Sequence, residues 1–245
     1  MMTAPPDGFR IGNVLSRSFG VLSRNIVPFV ILAAIVQLPN LVLVLYGWGT
    51  SMHRPTPSSI TSMAAVAGVV AFFVLPISQA VINYAAFQDM RGRPIDIGES
   101  FGRGIARFFP IIGTWICMGV LMIVGFFLLV VPGIIIAVAL SVAIQVCVVE
   151  RRGPFASIGR SRFLTKGNRW GIFGLSLLLF VIGAIIGGAF WIVRVAAGPE
   201  VAAVVNFILQ SAFSAFHSVV FVVAYHDLRV EKEGLDTDRI AAVFD

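Results

Sequence analysis

Four polar residues in a long apolar run, Asn206, Gln210, Ser214 and His217, follow one another at intervals of four, four and three. On a helix, with successive residues about 100° apart, that spacing puts them on one stripe. Gln79 and Asn83 stand four apart in an earlier apolar run, and Gln37 and Gln145 lie in two others. Amides and an imidazole so placed could line a hydrated path or hold a small polar ligand, because polar groups in hydrocarbon face protein or water. The same residue types also hydrogen-bond between packed membrane helices, and the spacing does not separate the two uses. No acidic residue lies in the middle of an apolar run, which argues against a proton- or sodium-coupled carrier.

Catalytic chemistry finds no comparable constellation. The histidines, His53, His217 and His226, are scattered, and no HExxH, GxSxG or Walker spacing occurs. Cys117 and Cys147 both fall inside apolar runs and read as small core residues. The expectation is a non-enzyme with no metal and no cofactor.

Charge is concentrated elsewhere. The segment ERRGPFASIGRSRFLTKGNR, Glu150 to Arg169, carries six cations against one carboxylate between two apolar runs. Glu150, Asp227 and Arg229 stand at the ends of such runs and are ion-pair candidates, the two carboxylates with the arginines of the basic segments. A nucleic-acid site would also be basic, so the reading depends on where the elements put these charges.

The elements follow from composition. The chain is 58% hydrophobic and 12% charged, with a mean hydropathy of +0.95, whereas soluble domains carry about 25% charged residues. Several runs reach the roughly 20 apolar residues that cross a bilayer. They do not alternate as barrel strands do, so the fold class is all-α integral membrane. The spacing predicts six spans: 25–47, 60–87, a hairpin from Ile111 to Val149 turning at Val131–Gly133, then 171–193 and 201–225. The run from Ile111 to Val149 has 39 residues, too many for one crossing. With the amino terminus inside, sixteen Lys or Arg residues fall on the cytoplasmic side and only Arg54 and Arg194 outside. That asymmetry predicts both termini cytoplasmic. The reading is one polytopic domain over 1–245, with no nucleic-acid partner.

Each pair of spans is preceded by a basic segment: 8–24, 95–108 and 153–166, with a cytoplasmic tail over 226–245. In the first, Ile11, Val14, Leu15, Phe19, Leu22 and Ile26 share a side, flanked by Arg10, Arg17 and Arg24. In the second, Ile97, Phe101, Ile105 and Phe108 oppose Glu99, Arg103 and Arg107. Such helices lie in the interface with cations toward anionic headgroups. The third carries Arg160, Arg162 and Lys166, followed by Arg169, with its apolar residues more scattered. It echoes the first, with LSRS at Leu15 to Ser18 against IGRS at Ile158 to Ser161, and Asn25 and Asn168 equally far beyond. The pattern suggests three units, each an interfacial helix and a two-span hairpin.

Two stretches carry a resemblance. The run from Val131 through Glu150, Gly153, Pro154, Ser161, Thr165, Lys166, Gly167, Asn168 and Trp170, including Pro132 and Gly133, is one. The tail YHDLRVEKEGLD, with Asp227, Leu228, Arg229, Glu233, Gly234 and Asp236, is the other. Together they resemble the membrane domain of glycerophosphoryl diester phosphodiesterase and related bacterial membrane proteins of the YciC type. His226 departs from an aromatic there, and Glu231 from a basic residue. Apart from the spans the chain leaves too few residues for the phosphodiesterase catalytic domain, so the resemblance implies a membrane module without that activity. The expected function is a bacterial inner-membrane module that organises or maintains the envelope through anionic lipid, a partner protein or its own copies. A small-molecule or lipid transporter using the stripe of the sixth span, and a regulatory subunit of a membrane complex, are the alternatives.

Overall fold

The computed structural model describes residues 9–51 and 57–233. Among them it forms helices and no strand: α1 (Ile11–Arg24), α2 (Ile26–Ser51), α3 (Pro57–Met90), α4 (Ile97–Ala106), α5 (Phe108–Leu128), α6 (Val130–Leu140), α7 (Ala143–Val149), α8 (Pro154–Thr165), α9 (Arg169–Ala197) and α10 (Pro199–Glu233). His53, Arg54 and the tail beyond Glu233, with Gly234, Asp236 and Arg239, lie outside the described residues. Among the described residues five segments are long and apolar enough to cross a membrane: Gly68–Met90, α5, Val130–Val149, α9 and Val201–Glu233. A sixth arises if α1 and the start of α2, which meet at 88°, count as one broken span. The architecture is compatible with a multi-pass membrane protein.

Helix α10 is the hub, packing against α9, α2, α1 and α3. Val219 to Tyr225 are buried without interruption, so this stretch is enclosed on all sides, as an all-round apolar helix requires. Helix α9 is the opposite case, with Phe180, Ile185, Ile192 and Val195 exposed. Trp170 and Trp191, 86% and 63% exposed, stand near its two ends. The 21 helical steps from one to the other rise about 32 Å at 1.5 Å each, close to the ~30 Å hydrocarbon core at whose two edges tryptophan concentrates.

Several expectations need correction. The hairpin turns at Leu129, an extended residue between α5 and α6, and not at Val131–Gly133. Pro132 sits in the first turn of α6 instead, where a missing N–H is tolerated. The close approach is made by glycines: a Cβ on Gly125 would come within 3.1 Å of the Gly133 Cα. The fourth span is interrupted at Ser141–Val142. The last helix runs on through Asp227 to Glu233, so the segment from 226 begins as helix.

The basic segments are helices, but they rest on protein, α1 largely by the apolar face expected to meet lipid and α4 by a different face. In α1 the buried residues are Val14, Ser18 and Val21, packed mainly against α10, while Phe19 is exposed. In α4 the buried ones are Ser100 and Gly104, against α3, with Ile97 and Ile105 exposed. In α8 they are Ser157, Ile158, Ser161, Leu164 and Thr165, with Phe155 and Phe163 outward. In α4 small residues win the face because they let the helices approach closely: a Cβ on Gly104 would collide with Val81 of α3.

Candidate interface at the basic end of the bundle

Helices α1, α4 and α8 gather at the end of the bundle where α3, α7 and α10 finish, and carboxylates there hold them. The Arg17 guanidinium of α1 donates to Asp227 of α10, whose side chain is only 3% exposed. Arg24 lies 3.4 Å from Asp89 at the end of α3, and Asn25, in the corner between α1 and α2, donates to the same carboxylate at 2.5 Å. Glu99 in α4 accepts from the Tyr84 hydroxyl at 2.7 Å and the Gln88 amide at 2.9 Å, both on α3. Asp96 caps the first turn of α4 by accepting from the Glu99 N–H at 2.8 Å, as such residues do at an N-cap.

Glu150 is the densest node. It accepts from Arg152 at 2.7 Å, from Arg160 at 3.0 Å and from the Tyr225 hydroxyl at 3.0 Å. Arg160 also donates to Glu233, which accepts from Arg229 at 2.9 Å. Burial works against the Arg160 charge, but Glu233 and Glu150 outweigh it and hold its pKa above the ordinary value. Arg229 therefore pairs within α10 rather than with Glu150. Beyond it, Asn168 donates to Glu231 at 2.7 Å. The Ser161 hydroxyl donates at 2.8 Å to the Ala139 carbonyl, just before the break in the fourth span.

The nine cations assigned to lipid or partner contact thus divide. Arg17 and Arg160 face inward onto carboxylates, a correction, and Arg24 and Arg103 are shared with Asp89 and Glu99. Arg10 is exposed at the start of α1. Arg162, Lys166 and Arg169 are exposed, and with half-exposed Arg107 they make no ion pair among the described residues. Arg107 joins Tyr84, Arg103, Ala106, Val148 and Arg151 around a pocket of about 160 Å³.

The polar stripe does not form one path. Asn206 and Gln210 line a cleft of about 310 Å³ with Gln37, Leu41, Leu75 and Phe190. His217 lines a separate and largely apolar cleft between α9 and α10, with Leu179, Phe180 and Phe213. Gln79 is half-buried in α3, and Asn83 is fully buried with neither amide atom hydrogen-bonded. Among the described residues no cluster of three His, Cys, Asp or Glu could hold a metal.

Sequence reasoning missed Asp89, Glu99 and Glu233 as anchors and Arg151 as a pocket residue. The available signal was scarcity: the chain has 12 acidic residues, and a carboxylate beside a basic segment is worth treating as its partner.

No curated protein matches the chain, and no solved structure does. A family model does match, over residues 100–227, from Ser100 on the buried face of α4 to Asp227, the partner of Arg17. It is described as a domain of unknown function, and nothing in the match names the phosphodiesterase membrane domain or the YciC type. Since that match spans more than half of the chain, the protein belongs to the DUF7847 family.

Proposed function

We propose that this protein is a non-enzymatic, multi-pass module of a bacterial inner membrane that engages anionic lipid headgroups through the basic end of its helical bundle. In this reading both termini are cytoplasmic, as the sixteen-to-two distribution of cations demands. The observation that carries it is the split among the basic residues. Carboxylates fasten α1, α4 and α8 to the bundle, while Arg107, Arg162, Lys166 and Arg169 are left without a protein counter-ion among the described residues. Outward Phe109, Phe155, Phe163 and Trp170 stand beside them, the combination that binds an anionic interface.

The threefold repeat belongs to the same proposal. Ser18, Ser100 and Ser161 are each fully buried in their short helix, and the corner into the following long helix comes seven residues later, at Asn25, Arg107 and Asn168. Arg17, Glu99 and Arg160 precede those serines, and each bonds a helix that finishes at the basic end. The likeness to the glycerophosphoryl diester phosphodiesterase membrane domain is retained on this footing, without the enzyme's activity. A role in envelope organisation, alone or as a subunit of a complex, follows from the lipid contact.

A transport reading rests on one observation, the cleft where Gln37, Asn206 and Gln210 meet. Extraction of the protein in native lipid discs separates the readings. Enrichment of anionic over zwitterionic lipid relative to the bulk membrane is expected. Equal proportions would remove the lipid proposal and favour a search for a polar solute.

A further inference from the structure

The joint between α3, α4 and α7 is the place where free positive charge becomes concave. Arg103, Arg107 and Arg151 line the same pocket of about 160 Å³, together with Tyr84, Ala106 and Val148. Arg103 is shared with Glu99 at 3.5 Å, whose carboxylate also accepts from the Tyr84 hydroxyl and the Gln88 amide. Arg107 and Arg151 make no ion pair among the described residues. Three guanidiniums therefore meet at a pocket whose one acidic neighbour is already occupied by three donors.

Backbone geometry points the same way. Arg151 has φ 54°, and it is the one non-glycine residue with positive φ among those described. That conformation is unfavourable for a side chain with a Cβ and persists where the surroundings hold it. It occurs directly after Glu150, whose carboxylate is fixed by Arg152, Arg160 and Tyr225.

We infer that this pocket binds a phosphate group, presented by an anionic phospholipid at the membrane surface. Volume limits the occupant, since pockets for whole small molecules run to roughly 300–1,000 Å³. This one admits a moiety of a few heavy atoms. Planar guanidinium forks pair with oxyanions two bonds at a time, and the two non-bridging oxygens of a tetrahedral phosphodiester can accept from several of them at once. Depth favours a lipid as the source. Ile97 and Ile105, on the same helix as Arg103, and Phe109, two residues after Arg107, are exposed, Phe109 at 83%, a group suited to the acyl boundary just below headgroups. A soluble phosphate shares the chemistry but uses none of that apolar surround. The inference rests on the lipid reading above and locates its specific contact.

The test is a titration of the full-length protein in neutral detergent, read by native mass spectrometry. Phosphatidylglycerol, phosphatidylcholine with the same chains, and inorganic phosphate are added separately. The expected result is one site at which phosphatidylglycerol binds at least tenfold tighter than phosphatidylcholine. Arg107→Gln and Arg151→Gln each weaken it about tenfold, while Arg162→Gln with Lys166→Gln changes it less than threefold. Ala106→Leu, which fills the pocket and removes no charge, weakens it as well. Unchanged thermal unfolding of these variants shows that the fold is intact, and Arg107→Lys supplies a milder change if Arg107→Gln unfolds. Inorganic phosphate that binds tighter than phosphatidylglycerol, with the same dependence on Arg107 and Arg151, would overturn the lipid source. Loss of the preference in the Arg162 and Lys166 variant alone would overturn the pocket and leave the surface reading standing. No preference in the unmodified protein would sink both.

Discussion

The pairing of Arg17 with Asp227 offers a measurement of what holds an interfacial helix to its bundle. Asp227 is nearly inaccessible, and two of the three Arg17 nitrogens, Nε and one terminal nitrogen, are buried with no partner. Asp227 is thus the one hydrogen-bond acceptor recorded for this guanidinium. Asp227→Asn keeps the shape and removes the charge, leaving a half-buried cation uncompensated, a change that is worth about 3–5 kcal/mol in buried pairs. At roughly 2–4 °C per kcal/mol for a chain of this size, the apparent Tm in detergent should fall by about 6–20 °C. Replacing both partners, as Arg17→Met with Asp227→Leu, should recover most of the loss, because no charge is left unpaired. Thermal unfolding followed by intrinsic fluorescence at one fixed scan rate reads both effects, since unfolding of such proteins is commonly irreversible. A single variant that loses less than about 3 °C, or a double variant as unstable as the sum of its singles, would refute the reasoning.

Two further outcomes follow from packing and depth. Gly125→Val should destabilise by about 1–3 kcal/mol through overpacking, because its Cβ would meet Gly133 backbone at 3.1 Å. Gly119→Val, which meets nothing within 4 Å, should stay within about 0.5 kcal/mol, and equal effects in thermal unfolding would count against the glycine contact. Single-tryptophan variants that retain Trp170 or Trp191 should both be quenched most strongly by lipids brominated near the headgroup. Strongest quenching of either by chain-end bromine would contradict the placement of α9.

The amphipathic periods of 8–24 and 95–108 were legible as helices, but whether their apolar residues meet protein or lipid was not. A hydrophobic stripe predicts a face toward something apolar without saying whether that is lipid or protein. Val14 and Val21 found α10, whereas Ile97 and Ile105 did not find protein. The turn at Leu129 was missed for a related reason. Pro132–Gly133 is a strong local turn signal, yet proline is equally at home in the first turn of a helix, and the fit of Gly133 against Phe126 and Gly125 moved the break three residues earlier. The polar stripe was correct as a helical pattern. Its two halves meet different clefts because Gln210 and His217, though on one side of the helix, lie about 10 Å apart along its axis.

Sequence alone determined the all-helical class of this protein, because 58% hydrophobic residues in non-alternating runs of bilayer length favour helices, the form in which a lipid-exposed backbone satisfies itself. It also determined where the basic segments lie, since their charges interrupt those runs. Tertiary structure decided which charges remain free. Arg17 and Arg162 have the same side chain and stand in similar short helices, yet one is turned onto Asp227 and the other is exposed. The difference comes from residues more than 200 positions away in the chain, and only packing brings those together. Concavity is the other property that packing alone creates: Arg103, Arg107 and Arg151 are separate in sequence and share one pocket because α3, α4 and α7 finish side by side.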